Sequence, residues 1–202
     1  MISQNELFSF LKKNKLSFFV GVPDSLQKPL EKGLMKMKKK HIVAANEGNA
    51  VAIASGYYLS TKKLPVIYMQ NSGLGNAINP LTSIASRDVY SVPMLILIGW
   101  RGSPNSKDEP QHMLMGKITK NLLKLLRIKY CELNNLSDLK KLKTMINYSK
   151  KNKIAVACLI KKNTLKKIPK NKTLKKRRKN MRFDFLKKIL SKSSHSFKFF
   201  TS

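Results

Sequence analysis

The sequence predicts an α/β protein: a doubly wound, mostly parallel six-stranded sheet with helices on both faces. Three observations lead there. Short apolar runs alternate with longer helical patterns through the first 160 of 202 residues. Most of those runs lack polar alternation, the pattern of strands covered on both sides. Gly, Asn and charged residues gather where four of the runs end, and a doubly wound sheet binds its ligands beyond such ends.

The elements follow in order. A helix over 4–13 precedes the first strand, 18–22, and a second helix is expected over 25–39. The β-branched run 42–45 reads as a buried strand, and the small residues of Ala50-Val51-Ala52-Ile53-Ala54 suit a closely packed helix over 48–60. Strands at 65–70, 93–99, 129–133 and 154–160 then alternate with helices at 75–86, 113–126 and 137–151. Such repetition implies right-handed crossovers. The domain is expected to span 1–160, followed by an exposed basic linker over 161–182. Beyond it, "FDFLKKIL" reads as a helix and "FKFFTS" as a strand, so 183–202 is either the start of an incomplete second domain or a docked tail.

Composition narrows the function classes. The formal net charge is +31, from 41 Lys and Arg against 10 Asp and Glu. Twelve basic residues and no acidic one fall between Lys161 and Arg182, but no aromatic residue interleaves with them. That run lacks the stacking platform of a single-strand binder, which disfavours a nucleic-acid partner. Cys131 and Cys158 form no Cys-x-x-Cys pair and read as buried thiols. The absence of a signal-like segment and of any run long enough to span a bilayer leads to the expectation of a soluble, cytoplasmic protein without membrane contact.

Four junctions should share the carboxyl edge of the sheet: Gly21 to Ser25, Asn46 to Asn49, Gln70 to Asn76, and Gly99 to Gly102. Glu47, one of few acids, stands where an apolar strand meets an apolar helix. It can cap its own helix, or it can aim a partly desolvated carboxylate at a ligand proton. Asn71-Ser72-Gly73-Leu74-Gly75-Asn76 opens a helix with free amides, yet it matches neither a P-loop nor the dinucleotide fingerprint. Arg101 could hold an oxyanion by its planar fork, and His112 could donate to an anion or move protons; both also fit a plain polar loop. No Cys/His spacing suggests a metal site.

Taken together, "GVPDSLQKPL", "ANEGNAVAIASGYYL", "YMQNSGLGNAINPLTS", "VPMLILIGWRG" and "DEPQH" resemble the phosphonopyruvate decarboxylase family, within the thiamine-diphosphate-dependent decarboxylases. The related sulfopyruvate decarboxylases, whose two domains can be separate subunits, share "MQNSGLGN". The resemblance covers roughly the first 160 residues and implies the pyrimidine-binding domain type of fold. It implies that Glu47 hydrogen-bonds N1′ of the cofactor's pyrimidine and relays a proton, while the thiazolium accepts the electron pair left by departing CO2. It further implies cofactor contacts at Gly73, Leu74, Gly75 and Asn76, and substrate contacts at Asp24, Ser25, Arg101 and His112.

The implied reaction turns 3-phosphonopyruvate, a small anionic 2-oxoacid, into phosphonoacetaldehyde and CO2, a step of phosphonate biosynthesis. Family members hold the diphosphate and Mg2+ through a Gly-Asp-Gly motif in a second domain, and this sequence contains none. The expectation is a half-site within an oligomer, completed by a diphosphate-binding partner subunit. The competing readings are a sulfopyruvate decarboxylase α-like subunit, a truncated inactive fragment, and a basic nucleic-acid module without catalysis.

Overall fold

The computed structural model describes residues 1–167; the remainder of the expected linker and the expected helix and strand over 183–202 lie outside the described residues. The strands are β1 (Phe19–Gly21), β2 (His41–Val43), β3 (Val66–Gln70), β4 (Met94–Gly99), β5 (Lys129–Leu133) and β6 (Ala155–Ile160). The helices are α1 (Gln4–Lys13), α2 (Lys28–Leu34), α3 (Glu47–Thr61), α4 (Leu74–Thr82), α5 (Pro110–Leu125) and α6 (Leu139–Asn152). All neighbouring strands pair in parallel, in the order β2-β1-β3-β4-β6-β5. The doubly wound prediction holds.

Pleating sends alternate side chains to opposite faces. Val20, Ile67, Met69, Ile96 and Ile98 pack with Val51, Ala54, Leu74 and Leu123 of α3, α4 and α5. Phe19, Val66, Tyr68, Leu95, Leu97 and Val156 pack on the other face with Leu7, Leu11, Leu30, Leu34, Leu142 and Ile146 of α1, α2 and α6. Both faces of β4 and β6 are covered, so every residue of these strands is buried. Their continuous apolar runs have that cause. α1 begins with a capping box, in which Ser3 Oγ accepts from the Glu6 amide and the Glu6 carboxylate from the Ser3 amide.

Three expectations need correction. The run around 42–45 is not a buried strand: β2 is an edge strand, with Ile42 37% and Val43 59% exposed, and only Ala44 is buried. A run of β-branched residues does not distinguish a central strand from an edge one. The helix expected over 25–39 shortens to α2: Ser25–Gln27 form a 3-10 turn before it, and after Leu34 the chain tightens into i→i−3 turns at Lys36 and Met37, with none of Lys38–Lys40 buried. The compact unit also runs to Lys167, past the expected boundary. Thr164 and Leu165 are buried, the Ile2 amide donates to the Thr164 carbonyl at 2.8 Å, and Thr164 Oγ1 donates to the Leu133 carbonyl at 2.9 Å. Cys131 and Cys158 are free, buried, and directly opposite each other on β5 and β6.

Candidate active site

β1 lies between β2 and β3, so the chain leaves it to one side and returns on the other. The crevice beyond the carboxyl ends of β1 and β3 is the topological switch point at which such sheets bind ligands. Two groups of residues meet around this edge.

The first group centres on Glu47. Asn46 caps α3 by accepting from the Asn49 amide at 2.8 Å, which fixes Glu47 as the first helical residue. Its carboxylate therefore sits at the positive end of the helix, a favourable place for an anion. The half-buried side chain reaches across to the β3–α4 turn, where it lies against Gly73; a Cβ there would collide with Oε1, Cδ and Cγ of Glu47. Asn76 Nδ2 donates to Glu47 Oε2 at 3.0 Å, while Oε1 takes no hydrogen bond from the described residues. One oxygen is thus anchored and the other left as an acceptor. Leu74 buries its side chain in the core, and Gly75 faces open space.

The second group joins β1, β3, β4 and α5. Arg101 Nε donates to both Asp108 oxygens at 3.0 and 2.8 Å, Nη2 donates to Oδ1 at 2.5 Å, and Nη1 donates to Ser25 Oγ at 2.8 Å. Amides of Gly102 and Glu109 also donate to Asp108. The Arg101 guanidinium holds the Asp108 carboxyl well below the usual carboxylate range, reinforced by those amides. The fork expected to grip an oxyanion is therefore already filled. His112, in the first turn of α5, packs its carbonyl against Gly102, and its imidazole makes no hydrogen bond to the described residues.

Asp24 is turned inward. It is 3% exposed, its Oδ2 points at Gly99 where a Cβ would collide with it, and both oxygens lack a hydrogen-bond partner. Burial pushes its pKa up, against the opposing pull of the Arg101 charge. Its amide donates to Glu31 Oε1, whose own pKa is raised by burial and by the neighbouring Asp24. Ser25, next in the chain, is exposed and faces outward.

Sequence reasoning missed several organising residues. Asn71 bridges the edge: its side chain donates to the Arg101 carbonyl and Thr119 Oγ1 and accepts from the Arg101 amide. Buried Gln27 donates to the carbonyls of Met69 and Leu97. Trp100 Nε1 donates to the Gly116 carbonyl at 2.9 Å, while Lys120 and Lys161 lie over its ring and both pair with Glu132. No local spacing signals these partners, which come from different elements.

This arrangement can be set beside known proteins. Residues 3–123 match the family model described as thiamine pyrophosphate enzyme, N-terminal TPP binding domain. The chain belongs to this family. It is 36% identical to a phosphonopyruvate decarboxylase of Streptomyces viridochromogenes over 139 residues, covering 68% of this chain and 34% of that protein. It is 30% identical to a sulfopyruvate decarboxylase subunit alpha of Methanothermobacter thermautotrophicus, covering 63% of this chain and 76% of the relative. The chain thus spans about a third of the length of the phosphonopyruvate decarboxylases it matches. In fold it is similar to the benzoylformate decarboxylase of Polynucleobacter necessarius, with a TM-score of 0.58 at 21% identity over 84% of this chain and 32% of the other.

The geometry fits one end of the family's cofactor. A carboxylate with a free oxygen, seated over a glycine at the switch point, suits a ring nitrogen that presents a hydrogen. Among the described residues no group of three or more His, Cys, Asp or Glu side chains could hold a metal. No helix among them is long and apolar enough to cross a membrane.

Proposed function

We propose that this chain supplies the pyrimidine-binding half of a thiamine-diphosphate-dependent decarboxylase that converts 3-phosphonopyruvate to phosphonoacetaldehyde and CO2 in phosphonate biosynthesis. A diphosphate-binding partner subunit holds Mg2+ and completes the site. The observation that carries the reading is the Glu47 carboxylate, resting on Gly73 with Oε2 held by Asn76 and Oε1 free. The 36% identity to phosphonopyruvate decarboxylase supports the substrate class.

When bound, the thiazolium acts as the sink for the electron pair released as CO2 departs. The chain's own part is to hold a proton at the pyrimidine N1′ through Glu47 Oε1. Asn76 keeps that carboxylate from rotating away, so little reorganisation accompanies proton transfer.

The test is turnover of phosphonopyruvate by the chain mixed with a Gly-Asp-Gly-bearing partner subunit. Glu47→Gln should lower kcat by about 10²–10⁴-fold, the usual contribution of a positioned proton-transfer group, with melting temperature unchanged. Turnover by Glu47→Gln equal to the parent's would refute the reading. Similarity to sulfopyruvate decarboxylase alpha subunits, at 30% and 32% identity, supports a second substrate. The chain covers 70% and 76% of two sulfopyruvate decarboxylase alpha subunits, so a separate-subunit enzyme acting on sulfopyruvate is the alternative that the same assay decides.

A further inference from the structure

A cavity of about 430 Å³ opens at the carboxyl edge of the sheet. Its volume falls in the range of small-molecule sites. Ser25, Arg101, Lys107, Asp108, Glu109 and Lys162 face it, from the turn after β1, the β4–α5 loop and the segment after β6. The charges in it are not equally available. Asp108 is consumed by Arg101 and by two amides, and Arg101 is consumed by Asp108 and Ser25. That ion pair adds no net charge to the cavity. Its function is to brace the β4–α5 loop against the turn after β1.

What remains is the pair Lys107 and Lys162, opposed by the single exposed carboxylate of Glu109. Lys162 Nζ donates to the Lys107 carbonyl at 3.2 Å, which tethers this ammonium to the wall and leaves it two further N–H donors. Ser25 Oγ accepts from Arg101 Nη1, so its own hydrogen is free to donate. A net positive cavity with ammonium and hydroxyl donors converging from three elements matches a tetrahedral oxyanion.

We infer that this cavity seats the phosphonate or sulfonate head of the substrate, with Lys162, Lys107 and Ser25 in contact and Arg101 as a positioning residue. The inference rests on the decarboxylase reading for the identity of the ligand, but the site itself is testable without the cofactor. Lys162 belongs to a stretch that the sequence alone assigned to a linker, and the anchoring of Thr164 and Leu165 holds it at the sheet edge.

The experiment titrates the 202-residue chain with methylphosphonate and, separately, with methanesulfonate, followed by backbone amide NMR. Saturable shifts at residues 25–26, 107–109 and 162 are expected, weakening with added salt. Both lysines are exposed, so Lys107→Ala and Lys162→Ala should leave the fold intact. Each should weaken binding about tenfold, with Lys162→Arg restoring most of it. Tighter binding of the phosphonate or of the sulfonate assigns the head group, and either supports the site. Unaltered binding in the double alanine variant, shifts scattered over other surface lysines, or no saturable shift would overturn it. Glu47→Gln should leave this titration unchanged, so failure of the anion site and failure of the proton-relay reading are read out separately.

Discussion

Replacing Gly73 by alanine separates the role of Glu47 from the stability of the fold. Gly73 has φ −72° and ψ −11°, a right-handed conformation that alanine adopts without strain. Backbone entropy alone should therefore stabilise the variant by about 0.4–1 kcal/mol, or a few degrees in Tm at this size. The new Cβ, however, would fall inside the space of three Glu47 atoms. Relief to ordinary carbon contact at about 3.5–4.0 Å moves the carboxylate by more than an ångström. Because Glu47 is half-buried with an open side, its side chain rather than the backbone yields, and the Asn76 hydrogen bond is lost with it. A displacement of this size costs roughly 10²-fold in rate when the group takes part in catalysis. Thermal melting of the chain and turnover of the reconstituted complex are measured together. The expected outcome is unchanged or higher Tm with about 10²-fold lower kcat. Parental turnover would show that the Glu47 seat is irrelevant to the reaction, and a Tm loss of many degrees would show that the turn, not the side chain, gives way.

Two further predictions concern charge. The Asp24 pKa is raised by burial, so this group weakens the fold as pH rises through its folded value, and the cost disappears below the ordinary 3.8. Asp24→Asn should thus stabilise the chain at neutral pH by about 1–3 kcal/mol, with the advantage shrinking toward acid; urea unfolding across a pH series checks this, and no advantage at pH 7 would contradict it. Asp108 has the opposite sign. Its pKa is depressed by Arg101, so its contribution is present above 3.8 and is lost as pH falls through the folded value. Arg101→Lys keeps the charge but not the fork and should cost about 1.5–3 kcal/mol at neutral pH. The same unfolding series should show that cost fading in acid, and a pH-independent cost would refute the assignment.

The central strands were legible in the sequence because burial on both faces leaves an uninterrupted apolar run, and β5 and α1 fall where the pattern places them. The four junctions were legible for a topological reason: every parallel strand ends at the same sheet edge. What the pattern could not convey was which way a junction residue turns. Asp24 and Ser25 are adjacent, yet one packs under Gly99 and the other faces the cavity. Arg101 looked available because its partner Asp108 lies in the same polar loop, where spacing does not report pairing. The exposure of Val43 reflects strand order, a property of the whole sheet rather than of residues 42–45. Lys162 was hidden by composition, since a lysine-rich run masks the few residues that Thr164 and Leu165 pin down.

The central claim is that Glu47 Oε1 holds a hydrogen at the pyrimidine N1′. Thiamine diphosphate labelled with ¹⁵N at N1′, bound to a complex of this chain with the proposed diphosphate-binding subunit, reports on that atom directly. The account predicts a ¹⁵N shift toward the protonated form that Glu47→Gln abolishes while the cofactor stays bound. An identical N1′ resonance in the parent and in Glu47→Gln would contradict it.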